Sequence, residues 1–80
     1  MKTELLTIDS VNFKVVKGYI PGHKDLRQWT LYRDSYRIAT IAEDTTGYWL
    51  ILEYLHRMNQ EDNDFKSPIE AFEFYINNEF

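Results

Sequence analysis

The sequence Ser67-Pro68-Ile69-Glu70 specifies the start of a helix, and it constrains the fold of this chain more than any other feature. Serine favours the position just before the first helical turn, and proline favours the first position inside that turn. Glutamate three residues after the serine completes a capping box. We therefore expect a C-terminal helix that begins at Pro68.

The predicted helix has one apolar side. Ile69, Phe72 and Ile76 recur at helical spacing, with Ala71 and Tyr75 beside them. The polar residues Glu70, Glu73 and Asn77 fall on the opposite side. A helix of this kind needs an apolar surface to pack on, and the preceding residues have to supply it.

Three earlier segments have the composition of β-strands. Val11–Tyr19 is rich in valine and aromatic residues, and Pro21 with Gly22 marks a turn after it. Arg27–Arg33 and Tyr36–Glu43 are separated by two residues, Asp34 and Ser35, which indicates a tight hairpin.

A two-residue turn fixes the register of this hairpin by counting. The predicted opposed pairs are Arg33 with Tyr36, Leu31 with Ile38, and Trp29 with Thr40. This register places Trp29, Leu31 and Ile38 on the core face. The other face would carry Gln28, Thr30, Tyr32, Arg37 and Ala39.

Residues 48–55 support two interpretations. As a strand they alternate and follow a turn ending in Gly47, whereas as a helix they continue to Met58 with one apolar stripe. The aromatic content favours the strand. Residues 59–64 are polar and acidic, which is typical of a surface loop.

The predicted fold is therefore α+β: a small antiparallel β-meander of three to four strands, packed against one C-terminal amphipathic helix or, on the alternative interpretation, two helices. A chain of 80 residues is long enough for one such domain, residues 1–80, and too short for two cores. With no cysteine, disulfide frameworks, iron–sulfur clusters and thiol catalysis are excluded. Small secreted domains often contain disulfides, which a chain without cysteine cannot form, so we expect a cytoplasmic protein.

Charge is divided unequally along the chain. Residues 1–40 carry a net charge of +3 and residues 41–80 a net charge of −7. The N-terminal residues contain no apolar run of signal-peptide length, and no segment approaches the length of a membrane span. We expect no membrane contact and an acidic surface formed by the second half.

The sequence offers no set of residues typical of catalysis. His23 and His56 are the two histidines, and they do not have metal-ligand spacing. A triad of Ser35, His23 and Asp34 lacks the turn motif that normally presents such a serine. The three glycines are isolated, which excludes phosphate-binding loops, and the acidic loop lacks the glycine and glutamate of a calcium loop. We predict no enzyme, no cofactor and no metal.

Aromatic residues leave room for a binding function, because a core of this size needs only part of the 13 present. Tyr32, Trp49 and Phe74 fall outside the predicted inward positions, so we expect them to be exposed. The leading hypothesis is a protein-binding module, in its sharper form an acidic inhibitor or regulator of the kind that mobile elements encode. Its partner would have a basic surface, and association of like chains stays open. The predicted contact residues are Glu61, Asp62, Asp64, Trp49 and Phe74.

The alternative hypothesis is nucleic-acid binding through the sheet. Arginines and lysines would contact phosphates, and tyrosines or tryptophans would stack on bases. The predicted residues are Arg27, Arg33, Arg37 and Tyr32, together with Lys14, Lys17, Tyr36 and Trp29.

The step that contains Phe65, Ser67, Glu70 and Ala71 is similar to one in the three-stranded DNA-binding arm of tyrosine integrases. The resemblance covers these four residues and implies a sheet that binds DNA. Those arms are strongly basic, whereas this chain has an isoelectric point of about 5.0, so the family is not assigned.

Overall fold

The computed structural model describes residues 2–79. Five antiparallel strands form one sheet in which every strand lies beside its neighbours in sequence, and a helix packs on one face. The strands are β1 (Lys2–Ile8), β2 (Val11–Tyr19), β3 (Arg27–Arg33), β4 (Tyr36–Glu43) and β5 (Trp49–Ile51). Two 3₁₀ turns, Leu52–Tyr54 and Gln60–Asn63, precede helix α1 (Pro68–Glu79). The α+β prediction is confirmed, with five strands instead of three to four.

Helix α1 begins where the capping residues predict. The Glu70 amide donates to Ser67 Oγ at 3.2 Å, and Glu70 Oε2 accepts the Lys66 amide at 3.2 Å. The side chains of Ala71, Phe72 and Ile76 are buried in the core that the helix shares with the sheet.

The sequence pattern does not predict strand β1, because its apolar residues do not alternate with polar ones. Leu5 and Leu6 are adjacent, and the register with β2 places Leu6 opposite the buried Phe13. The inward positions also include the charged Glu4, opposite Val15. A hairpin turn at Asp9-Ser10 joins the two strands.

The predicted register of the β3–β4 hairpin is correct at the turn and wrong beyond it. Arg33 lies opposite Tyr36, but a bulge shifts the pairing between Leu31 and Tyr32. Leu31 therefore pairs with Ala39, not with Ile38, and Trp29 pairs with Ile41, not with Thr40. Ala39 consequently faces the core, contrary to the prediction. The extra residue in β4 turns Ile41 inward, which buries a larger apolar side chain than Thr40 would.

The ambiguous segment 48–55 contains both a strand and a helical turn. Trp49–Ile51 pairs with the last residues of β4, and the next residues form the first 3₁₀ turn with Tyr54 buried. No helix among residues 2–79 has the length and apolar character required to cross a bilayer.

Candidate protein-binding surface

The predicted protein-binding residues separate into exposed and covered groups. Glu61 and Asp62 are exposed on the second 3₁₀ turn, and Asp64 directly after it is half-buried. Trp49 lies in the core, and Phe74 is half-buried against that core. The acidic part of the predicted site is therefore on the surface, and its aromatic part is not.

The expected exposure of Trp49 is wrong. Its side chain is 2% exposed because β5 pairs Trp49 with Glu43 on the same face as the buried Ile41. The centroid of the Trp49 ring lies 5.3 Å from that of Trp29. The guanidinium carbon of Arg27 lies 5.1 Å from the Trp49 centroid. Trp49 therefore contributes to stability and is not available as a contact residue.

Phe74 is covered because residues outside the sheet extend the core. Its ring packs at 5.2 Å from Phe65 and meets Tyr54 edge-on at 6.1 Å. Tyr54 lies in the first 3₁₀ turn and Phe65 lies just before the helix cap, so both partners come from outside the strands and the helix. The apolar side of α1 is consequently wider than the predicted stripe, and Phe74 is half-buried, not exposed as predicted.

Asn63 anchors the second 3₁₀ turn, Gln60–Asn63, to the sheet; we call it the acidic turn because it carries Glu61 and Asp62. The side-chain nitrogen Nδ2 of Asn63 donates to the Ile51 carbonyl at 2.9 Å, and Asn63 Oδ1 accepts the backbone amide of Ile51 at 2.9 Å. The side chain thus replaces one residue of a neighbouring strand, and it is 2% exposed. Two residues later, Phe65 and Trp49 exchange backbone hydrogen bonds of 2.8 and 2.9 Å. These bonds hold Glu61 and Asp62 in a fixed position.

Sequence reasoning missed Asn63 because it lies in a run of polar residues that is typical of a solvated loop. The one available signal is an asparagine shortly before an aromatic residue and a helix cap. That signal is common in ordinary loops and does not single out a buried amide.

An apolar cleft of about 210 Å³ lies beside the acidic turn. Leu55, which is 53% exposed, and Met58 line it together with Leu50, Gln60 and Asn63. Gln60 also lines a second, shallow depression with Asn59, Glu61 and Asp64. The cleft and the acidic residues are therefore parts of one continuous surface.

The charge of this surface is not neutralised within the described chain. Residues 61–73, called the acidic segment below, contain five acidic residues and one lysine. Their net charge of −4 equals that of the whole chain. Within residues 2–79, Glu61 and Asp62 form no ion pair. Their negative potential is therefore directed into solvent, where it can attract a cationic partner.

The basic residues of the alternative hypothesis are mostly engaged with acids of the same chain. Arg27 binds both oxygens of Glu43, at 2.8 and 2.9 Å. These hydrogen bonds raise the pKa of Arg27 and lower the pKa of Glu43. Arg37 donates to Thr40 Oγ1 at 3.0 Å and lies 3.7 Å from Glu53. Paired arginines offer less free charge to phosphates than the sequence alone predicts.

Part of the alternative set is nevertheless brought together. Lys14 lies opposite Tyr32, and Tyr32 lies opposite Arg37, so the three residues form a row across β2, β3 and β4. Arg33 is exposed at the end of β3. Lys17 is on the other face, where it binds Glu4 and lies 4.2 Å from the centroid of the Trp29 ring.

The residues considered for catalysis do not converge. His23 lies in the loop before β3, whereas Asp34 and Ser35 lie in the turn after it, so a strand of roughly 20 Å separates them. In the described part of the chain, no three histidine or acidic side chains are grouped as a metal site requires.

Comparison with protein-family models, with curated proteins and with solved structures gives no match for this chain. Function is therefore inferred from the geometry and charge of its own surfaces.

Proposed function

We propose that the protein is a non-catalytic binding module of the cytoplasm that engages a partner protein through the acidic segment and the adjoining apolar cleft. The observation that carries this proposal is the anchoring of the acidic turn by Asn63 beside the exposed Leu55. A fixed apolar cleft with a charged rim has the composition of a protein-binding hot spot.

The cleft and the charges would have different roles. Leu55 and Met58 supply apolar area that a partner side chain can cover, which contributes most of the affinity. Glu61 and Asp62 attract a basic partner over a distance and align it, which raises the association rate. The partner surface that fits is an apolar side chain surrounded by lysine or arginine.

More specifically, the protein would be an inhibitor or regulator of the kind that mobile elements encode. The acidic segment would then occupy a basic groove in which the partner otherwise binds nucleic acid. Five acidic residues over a short stretch offer charges comparable to a run of phosphates.

The test is retention of a partner from native lysate by the immobilised protein, with and without nuclease. We expect one stoichiometric protein that survives nuclease and is released by salt. The double variant Glu61→Lys/Asp62→Lys should reduce retention at least tenfold, and Leu55→Asp should abolish it. The matched controls are Asp25→Lys, which reverses an exposed acid of the β2–β3 loop, and Tyr19→Asp, which alters an exposed residue at the end of β2.

Unchanged retention by both the charge-reversal variant and the Leu55 variant would reject the proposed surface. Loss of all retained material after nuclease, with nucleic acid recovered beforehand, would favour the alternative. The row of Lys14, Tyr32 and Arg37 is the observation that supports a nucleic-acid interface. In that case Tyr32→Ala should weaken binding through loss of base stacking, while Glu61→Lys/Asp62→Lys should not.

A further inference from the structure

The outer edge of β1 has unpaired backbone groups. β1 is the terminal strand of the sheet, and its pairing with β2 is regular over the whole of Lys2–Ile8. Asp9 and Ser10 have φ values of 50° and 66°, as in the type I′ turn of a two-residue hairpin. Ile8 and Val11 close that turn, so Ile8 directs its amide and carbonyl at β2.

The alternation of antiparallel pairing then determines which residues of β1 bond outward. Leu6 and Glu4 direct their backbone groups at β2, as Ile8 does. Thr3, Leu5 and Thr7 direct theirs away from the sheet. Within residues 2–79, no element pairs with this edge.

The edge has few of the features that normally prevent strand pairing. β1 contains no proline, and its register with β2 shows no bulge. Its central residue, Leu5, is 85% exposed, the largest exposure among the large apolar residues described. Glu4 is paired with Lys2 and Lys17, so its charge is compensated locally.

We propose that β1 pairs antiparallel with β1 of a second copy of this chain, about a two-fold axis that passes between the two Leu5 residues. The sequence of the strand fits this symmetry. Leu5 would lie opposite Leu5 of the second copy, and Thr3 opposite Thr7, so every outward-bonding residue meets another one. The pairing would form about six backbone hydrogen bonds. It would also remove the apolar Leu5 side chains from solvent and join the two sheets.

The proposed contact is separate from the acidic segment. β1 and β5 are opposite edges of the sheet, so a dimer formed at β1 leaves both acidic segments free. A contact made by one pair of strands is smaller than the roughly 1,000 Å² of a stable interface. We therefore expect a weak and reversible dimer that forms at roughly tens to hundreds of micromolar.

Sedimentation velocity over about 10 micromolar to about 1 millimolar tests the proposal. The wild-type chain should change from monomer to dimer over this range. Leu5→Lys and Leu5→Glu should each stay monomeric, because like charges would face each other across the axis. An equimolar mixture of the two variants should restore the dimer, since residue 5 then faces an opposite charge. Tyr36→Lys, which adds a charge at an exposed residue of the β3–β4 hairpin, should dimerise like the wild type.

Amide exchange adds a local readout. Exchange of the Leu5 and Thr7 amides should slow as concentration rises, while exchange of the already bonded Leu6 amide should not change. A wild-type chain that stays monomeric at about 1 millimolar would overturn the proposal. A dimer that Leu5→Lys does not weaken, or one that the mixed variants fail to restore, would overturn it as well.

Discussion

Along the outer edge of β5, polar groups from later in the chain take up backbone hydrogen bonds, whereas the outer edge of β1 presents its amides and carbonyls to solvent. At β5 the Asn63 amide binds Ile51, and the backbone of Phe65 binds Trp49. Where β4 extends past β5, both oxygens of Glu53 accept the Thr40 amide, at 3.1 and 3.2 Å. We call the outer edge of β5, together with the part of β4 beyond it, the closed edge. We call the outer edge of β1 the open edge.

The edge of a sheet can therefore be protected without another strand. One amide side chain, one carboxylate and one isolated bridge satisfy the closed edge of this sheet. The open edge is longer and has an exposed leucine at its centre. An added strand would therefore form more backbone hydrogen bonds at the open edge than at the closed edge.

Removal of the Asn63 side-chain amide from the closed edge should cause the greatest loss of stability. Asn63→Ala leaves the amide and the carbonyl of Ile51 buried without partners, so the free energy of unfolding should fall by about 2–4 kcal/mol. Urea denaturation measures the change, and faster exchange of the Ile51 amide should accompany it. Asn12→Ala is the control, because the Asn12 side chain is exposed and accepts a bond from the Thr7 hydroxyl. Equal losses for both variants would contradict the role assigned to Asn63.

An intermediate effect is expected from acid, since a carboxylate with a lowered pKa lies at the end of β4 and another lies in β1. Arg27 lowers the pKa of Glu43 below its ordinary value of 4.5, mainly through side-chain hydrogen bonds. Lys17 and Lys2 lower the pKa of Glu4, which is more exposed. A lowered pKa contributes stability above about pH 4.5, and that stability is lost as the pH falls through the folded-state value.

Glu43→Gln should therefore reduce the free energy of unfolding by about 1 kcal/mol at neutral pH, a small figure because Arg27 is half exposed. The difference from the wild type should vanish in strong acid. Denaturation at about pH 7 and about pH 3 measures it. Glu4→Gln is the comparison variant, and its pH dependence should stay closer to that of the wild type. A larger loss in the free energy of unfolding for Glu4→Gln than for Glu43→Gln at neutral pH would contradict this expectation.

The smallest effect is expected at the centre of the open edge. Leu5→Ala should change the free energy of unfolding of the monomer by less than about 0.5 kcal/mol, because Leu5 is almost fully exposed. The adjacent Leu6 packs against the core, so Leu6→Ala should be destabilising by about 1–2 kcal/mol. Thermal or urea unfolding at low micromolar concentration compares the two variants. A larger loss at Leu5 would show that β1 is covered in the monomer.

The middle of the sheet was predictable because its sequence is locally consistent. The bounds of β2, β3 and β4 and the start of α1 follow from β-forming residues, turn residues and a capping box. The bulge in β4 was not predictable, because it depends on which of Thr40 and Ile41 the helix covers. β1 was not predictable because Glu4 occupies an inward position, where Lys17 of the next strand binds it.

The closed edge could not be predicted from the sequence because the groups that satisfy it come from distant residues. Asn63, Glu53 and Phe65 act on strands that lie 12 to 16 residues away, and composition reports only on near neighbours. The acidic residues of the candidate site were found because charge remains visible without a structure. Trp49 was misplaced because aromatic residues suit both a core and a binding surface.

The sequential order of the strands also has a consequence for the folding reaction. The β1–β2 and β3–β4 pairs each form around a two-residue turn, so little chain entropy is lost when they close. The bonds between Asn63 and Ile51, in contrast, span 12 residues that include both 3₁₀ turns, and α1 follows them in the chain. We expect the hairpins to appear first and the contacts of Asn63 last. A chain emerging from the ribosome would then pass through a stage in which a partly built sheet is unprotected at both edges, and the emergence of Asn63 and α1 would end that stage.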